Sequence, residues 1–177
     1  MKTTALLIID VQNAMMEDKP YNGNLLISNI KNLLQTARER GLPVIYIRHD
    51  GGNGDSLEKG TYGWQIYEEI APAKNEIIFE KKLNSAFKNT GLHEYLQSIN
   101  IHKLILTGMQ TEYCIDATCK SAFDLGYEII IPKHSSTTYD NNFFTAEALL
   151  TFFEEKIWQG RFASVISVES LQEKLVE

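Results

Sequence analysis

Three kinds of reactive side chain stand just beyond short apolar runs. Asp10 closes Ala5-Leu6-Leu7-Ile8-Ile9, Lys81 and Lys82 follow the run Glu76 to Phe79, and Cys114 comes soon after Lys103 to Thr107. With Thr111 as a helix N-cap, Cys114 falls at the third helical position. A helix N-terminus carries partial positive charge and free N–H groups, which favour a thiolate and lower the pKa of a cysteine placed there. A nearby ammonium would lower it further. An aspartate alongside could take the thiol proton and later pass it to a leaving amine, while free N–H groups hold a developing oxyanion. That set is complete for nucleophilic acyl transfer. Each member also has a plainer reading: a small buried hydrophobe for Cys114, a turn cap for Asp10, and solvated surface charges for the two lysines.

The elements that must position these residues alternate strand and helix. Strands are expected over Ala5–Ile9, Pro43–Ile47, Glu76–Phe79, Lys103–Thr107, Tyr127–Ile131 and Phe162–Val168. Between them, Leu25, Leu26, Ile30, Leu33, Leu34 and Ala37 recur at helical spacing, and Gly41 ends that helix. Further helices are expected over Leu92–Ile99, Thr111–Leu125, Phe144–Trp158 and Glu169–Leu175. Residues 49–63 carry five glycines and read as a loop. Apolar strands alternating with amphipathic helices predict an α/β fold, a doubly wound α/β/α sandwich around a six-stranded, mainly parallel sheet. In such sheets ligands bind beyond the carboxyl ends of the strands, where the reactive residues stand.

The 177 residues make a single domain the expectation, with no linker or repeat inside it. Seventeen Lys and Arg against 23 Asp and Glu give a net charge of −6, and no basic cluster stands out. That balance argues against nucleic acid as a partner. No apolar run approaches the roughly 18 residues of a membrane span, and the first run is too short for a signal peptide. Two cysteines, Cys114 and Cys119, fit a reducing, cytoplasmic setting and exclude a disulfide scaffold.

The chain resembles the isochorismatase-like cysteine hydrolase family, and the likeness runs nearly end to end. The motifs that carry it are Ala5-Leu6-Leu7-Ile8-Ile9-Asp10-Val11-Gln12-Asn13, Glu80-Lys81-Lys82-Leu83-Asn84-Ser85-Ala86-Phe87, Leu106-Thr107-Gly108-Met109-Gln110-Thr111-Glu112-Tyr113-Cys114 and Ala122-Phe123-Asp124-Leu125-Gly126-Tyr127. The resemblance implies a catalytic triad of Asp10, Lys81 and Cys114. Lys81 rather than Lys82 is selected because the family's lysine lies four residues before the Ser of Ser-Ala-Phe. It also implies a non-proline cis peptide joining Met109 and Gln110, an oxyanion hole made by the N–H groups of Gln110 and Cys114, and homodimers or higher homo-oligomers.

The sub-type bears on the substrate. Nicotinamidases of this superfamily bind a metal through an Asp-x-His pair and a further His. Here that loop reads Arg48-His49-Asp50-Gly51-Gly52, and no Asp-x-His is present. No metal and no cofactor are therefore expected, and His49 reads as a turn or supporting residue. The glycine-rich loop and the cysteine motif resemble the metal-free, streptothricin-hydrolase-like branch, which implies hydrolysis of a small amide or lactam. Isochorismatase-type vinyl ether cleavage, nicotinamidase-type hydrolysis and a silent family member acting in assembly are the alternatives. Two departures weaken any transfer of substrate identity: Pro132-Lys133-His134-Ser135 replaces a frequent Asp, and Glu154-Glu155-Lys156 replaces a His-His-Asn.

For the small-molecule pocket, Trp64, Phe87, Tyr113 and Tyr139 are the aromatic candidates, with Gln12 as a partner of Asp10 or of the substrate. Outside this family, a thiol redox protein would favour a resolving cysteine, for which Cys119 is badly placed. A phosphate-binding flavodoxin-like module would want a glycine-rich loop where Asp10-Val11-Gln12-Asn13 stands.

Overall fold

The computed structural model describes residues 3–176. Its seven strands are β1 (Thr4–Ile9), β2 (Val44–His49), β3 (Ile77–Lys81), β4 (Lys103–Met109), β5 (Glu128–Pro132), β6 (Ser136–Thr137) and β7 (Ser164–Ile166). They lie in the order β3-β2-β1-β4-β5-β7, and β6 adds to the end of β4. Every strand pairing is parallel. The sheet thus has one strand more than the six expected. β6 is a polar pair, Ser136 and Thr137, set opposite Gly108 and Met109, and neither apolar run nor alternation announces it.

Six helices cover the sheet: α1 (Asn13–Glu17), α2 (Gly23–Arg40), α3 (Leu92–Ser98), α4 (Asp116–Asp124), α5 (Ala146–Phe152) and α6 (Val168–Val176). The apolar runs of the strands alternate between two cores, as a sheet buried on both faces requires. Ala5, Leu7 and Ile9 pack with Leu92, Leu96, Cys119, Ala122 and Trp158 on one face. Leu6 and Ile8 pack with Leu26, Ile30, Leu33 and Leu171 on the other. α2 stops at Gly41, whose φ of +59° closes the helix in the left-handed conformation. Among the described residues no helix is long and apolar enough to cross a membrane.

The chain winds outward from β1 to β2 and β3, then returns to place β4 on the other side of β1. The strand order therefore reverses between β1 and β4, the point at which open α/β sheets leave a crevice. Gly108 lets the two backbones close there. Its φ is +127°, and a Cβ at that position would lie 2.0 Å from the Ile9 carbonyl oxygen.

Candidate active site

Asp10 leaves β1 with a φ of +54°, a left-handed conformation that aspartate tolerates better than most residues. Its N–H still donates to the Ile47 carbonyl at 2.9 Å, so the turn out of the sheet begins at its own Cα. Lys81 is the last residue of β3, two strands away. Strands lie about 4.8 Å apart, so only a long side chain spans that gap. The lysine stem crosses the end of β2 and delivers Nζ to 2.6 Å from Asp10 Oδ2 and 3.1 Å from Cys114 Sγ. Both charged groups are buried, each 2% exposed. Lys82 is one residue past the end of β3, and its side chain is 76% exposed, with Nζ 3.5 Å from Asp50. The structure thus brings Asp10, Lys81 and Cys114 together and leaves Lys82 outside.

Cys114 reaches this point by a route the sequence did not announce. Thr111 is not the cap. It begins the helical run itself, and its hydroxyl pairs with Ser136 on β6 at 3.0 Å. The residues Thr111–Ile115 form a wide π-helical turn ahead of α4. The Gln110 carbonyl accepts from the N–H groups of Tyr113 and Ile115, passing over that of Cys114. The peptide bond between Met109 and Gln110 is cis.

The electrostatics also differ from expectation. Rather than being lowered, the Cys114 thiol is pushed up to about 12, first by burial and then by the Asp10 charge, with Lys81 opposing both. Burial likewise raises Asp10 above the usual carboxylate range, against the pull of Lys81. At neutral pH the resting sulfur is therefore a thiol, set beside Asp10 and within reach of the Lys81 Nζ.

Asp10 and Cys114 open onto a cavity of about 380 Å³, which His49, Met109, Gln110, Tyr113, Met15, Leu57 and Asn84 also line. The Isochorismatase domain matches residues 4–170. The chain belongs to the isochorismatase family. It is 31% identical over 139 residues to a streptothricin hydrolase of Streptomyces noursei, a match spanning 77% of this chain but half of that protein's length. It is 25% identical to the ureidoacrylate amidohydrolase of Cronobacter sakazakii over 95% of this chain and 90% of that one. Among solved structures, an isochorismatase from Pseudomonas putida KT2440 superposes with a TM-score of 0.89 at 30% identity, covering 95% of this chain and 89% of that one.

In this isochorismatase-family chain, only one of the five residues expected to contact substrate reaches the cavity wall, the half-exposed Tyr113. Gln12 is fully buried and committed elsewhere. Its Nε2 donates to the carbonyls of His49 at 3.0 Å and Trp64 at 2.8 Å, and its Oε1 accepts from the His49 N–H at 2.8 Å. Its side chain makes no hydrogen bond to Asp10 and does not line the cavity, although its backbone N–H donates to the Asp10 carbonyl at 3.1 Å. Trp64 lies beneath the Arg48 guanidinium, 3.3 Å from its ring centroid, as cation–π packing of the loop. Phe87 stacks on Tyr127 at 5.8 Å. Tyr139 donates to the Met15 carbonyl and so anchors a cavity residue without lining the cavity itself.

Glu112 turns aside to accept from Thr138 at 2.9 Å. The functional neighbour that sequence reasoning undervalued is His49. Its Nδ1 lies 3.2 Å from Lys81 Nζ, because His49 and Lys81 are register partners on β2 and β3. Leu57 and Met15 also line the cavity without a local signal in the sequence, Met15 from the five-residue helix α1 and Leu57 from the glycine-rich loop.

Proposed function

We propose that this isochorismatase-family chain is a cysteine-dependent hydrolase of a small amide or lactam. The observation that carries the reading is the buried ammonium of Lys81, shared between the Asp10 carboxylate at 2.6 Å and the Cys114 sulfur at 3.1 Å. A thiol held near 12 cannot wait as a thiolate at neutral pH. It loses its proton to Asp10 as sulfur attacks the carbonyl carbon. Burial makes Asp10 a better base than an exposed aspartate, since it raises the carboxylate's proton affinity. The negative charge moves from Asp10 to the substrate oxygen, where the N–H groups of Gln110 and Cys114 receive it. Lys81 stays a cation throughout, so the site never carries an uncompensated charge.

Asp10 then gives its proton to the nitrogen as the C–N bond breaks, leaving a thioester on Cys114. A water attacks the thioester carbon, Asp10 takes its proton, and the sulfur leaves with that proton as the acid product departs. The cavity of about 380 Å³ suits a small molecule. The amidohydrolase and the streptothricin hydrolase among the relatives support an amide or lactam.

The test is ammonia or amine release from a panel of small amides and lactams, with acid quench and peptide mass spectrometry to catch an acyl group on Cys114. An activated ester serves as a generic acyl donor. Acylation at Cys114 with turnover lost in Cys114→Ala is the expected result. Hydrolysis that survives Cys114→Ala, or an acyl group found on another residue, overturns the reading. Absence of both acylation and turnover favours the silent family member.

A further inference from the structure

An ammonium has three hydrogens, and the structure supplies three partners for that of Lys81: Asp10 Oδ2 at 2.6 Å, Cys114 Sγ at 3.1 Å and His49 Nδ1 at 3.2 Å. The ammonium has no lone pair, so Nδ1 must be the acceptor and the ring proton sits on Nε2. The backbone that carries the ring is held in place. Gln12 bonds both the N–H and the carbonyl of His49, and the β2–β3 ladder sets it beside Lys81.

We propose that His49 is a positioning residue: its neutral ring, as third acceptor of the Lys81 ammonium, fixes that ammonium between Asp10 and Cys114, and protonation of the ring releases it. Once protonated, Nδ1 is a donor and the ring a like charge beside Lys81. The other groups facing the ring are Cys114 and Asp10 at the cavity, with Asp50 and Asp55 on the following loop. The two loop carboxylates are engaged elsewhere, Asp50 by the Gly52 N–H and Lys82, and Asp55 by the Leu57 N–H. Burial first, and then Lys81, hold His49 below the usual histidine range. The neutral ring therefore prevails at neutral pH and is lost only on acidification.

The inference rests on the reading of Cys114 as nucleophile, so its test avoids turnover. Long-range proton–nitrogen NMR of the wild-type protein at pH 7.5 should show the Nε2–H tautomer at His49. The Nδ1–H tautomer overturns the proposal, whatever any variant does. In parallel, the alkylation rate of Cys114 by iodoacetamide is measured across pH 5 to 9.5 for wild type, His49→Ala and His49→Gln. Loss of a hydrogen bond to a charged group should slow His49→Ala by about tenfold. The glutamine Oε1 can accept in place of Nδ1 and should restore most of that rate, without the acid-side decline that ring protonation gives wild type. Equal rates in wild type and His49→Ala, or a His49→Gln as slow as His49→Ala, overturn the proposal. Failure to hydrolyse any amide would condemn the functional reading but leave these results standing.

Discussion

Lys81 and Asp10 form a buried ion pair across an intervening strand: Nζ lies 2.6 Å from Oδ2, yet β3 and β1 are not neighbours in the sheet. The pair excludes water almost completely, with side-chain exposures of 0% and 3%. Breaking such a pair from one side leaves an uncompensated charge, which costs about 3–5 kcal/mol. Lys81→Met should therefore lower stability by that order in urea unfolding, and Asp10→Asn added to it should recover part of the loss. Lys82→Met, altering an exposed side chain, should stay within about 0.5 kcal/mol. Additivity of the Lys81 and Asp10 changes would contradict the pairing. In turnover, Lys81→Met should cost several orders of magnitude and Lys82→Met little.

The pH dependence of activity follows from the two shifted groups at the centre. In the proposed mechanism Asp10 accepts the thiol proton as a carboxylate, so kcat/KM should fall on the acid side, at a pH above the ordinary aspartate value of 3.8. His49 titrates in the same setting, so the acid limb belongs to the pair and should simplify in His49→Gln. No alkaline limb from Cys114 is expected until near 12. The same Asp10 shift affects stability with a definite sign. Its folded pKa is raised, so the native state binds the proton more tightly than the unfolded chain. Its contribution is most favourable below 3.8 and declines as pH rises through the folded value. A bell-shaped rate profile centred near neutrality would refute the neutral resting thiol.

Thiol labelling separates the two cysteines by burial and by charge. Both are pushed up to about 12 by burial, but Cys119 is fully enclosed between sheet and helix while Cys114 lines the cavity. Iodoacetamide should modify Cys114 at a rate still climbing through pH 9 and should leave Cys119 untouched in the folded protein. A plateau of Cys114 labelling at pH 6 to 7 would signal a preformed thiolate.

Much of this site could be read from residue types at strand ends. Asp10 and Cys114 are legible because an apolar run stops and a reactive side chain follows within a few residues. In the sequence only motif likeness separates Lys81 from Lys82; in the structure β3 ends at Lys81, which keeps that side chain at the buried strand end and leaves Lys82 in the exposed turn beyond it. His49 was not legible, since its importance lies in the β2–β3 register, a long-range property with no local signal. The protonation of Cys114 is not legible for a related reason. A helix N-terminus is visible in sequence, whereas the burial that raises the thiol depends on how distant segments of the chain come together around it. Trp64 and Gln12 looked like pocket residues because of their type, but they hold the loop to the strand end and so shape the site without lining the cavity.

Gly108 couples fold to chemistry most directly, and Gly108→Ala tests that coupling. The residue sits at φ +127°, a conformation costly for any L side chain, and its new Cβ would meet the Ile9 carbonyl at 2.0 Å, where backbone cannot yield cheaply. Relief requires β4 to move away from β1 at the point where Asp10 leaves one strand and the Cys114 turn leaves the other. The substitution should lower stability by about 3 kcal/mol or more. Among molecules that still fold, it should cut turnover far more than it weakens substrate binding, because a displacement of about 1 Å between reacting groups costs on the order of a hundredfold. Urea unfolding and the split between kcat and KM read the two effects separately. A Gly108→Ala protein with wild-type stability and turnover would mean that the close approach of β1 and β4 does not set the distance between Asp10 and Cys114.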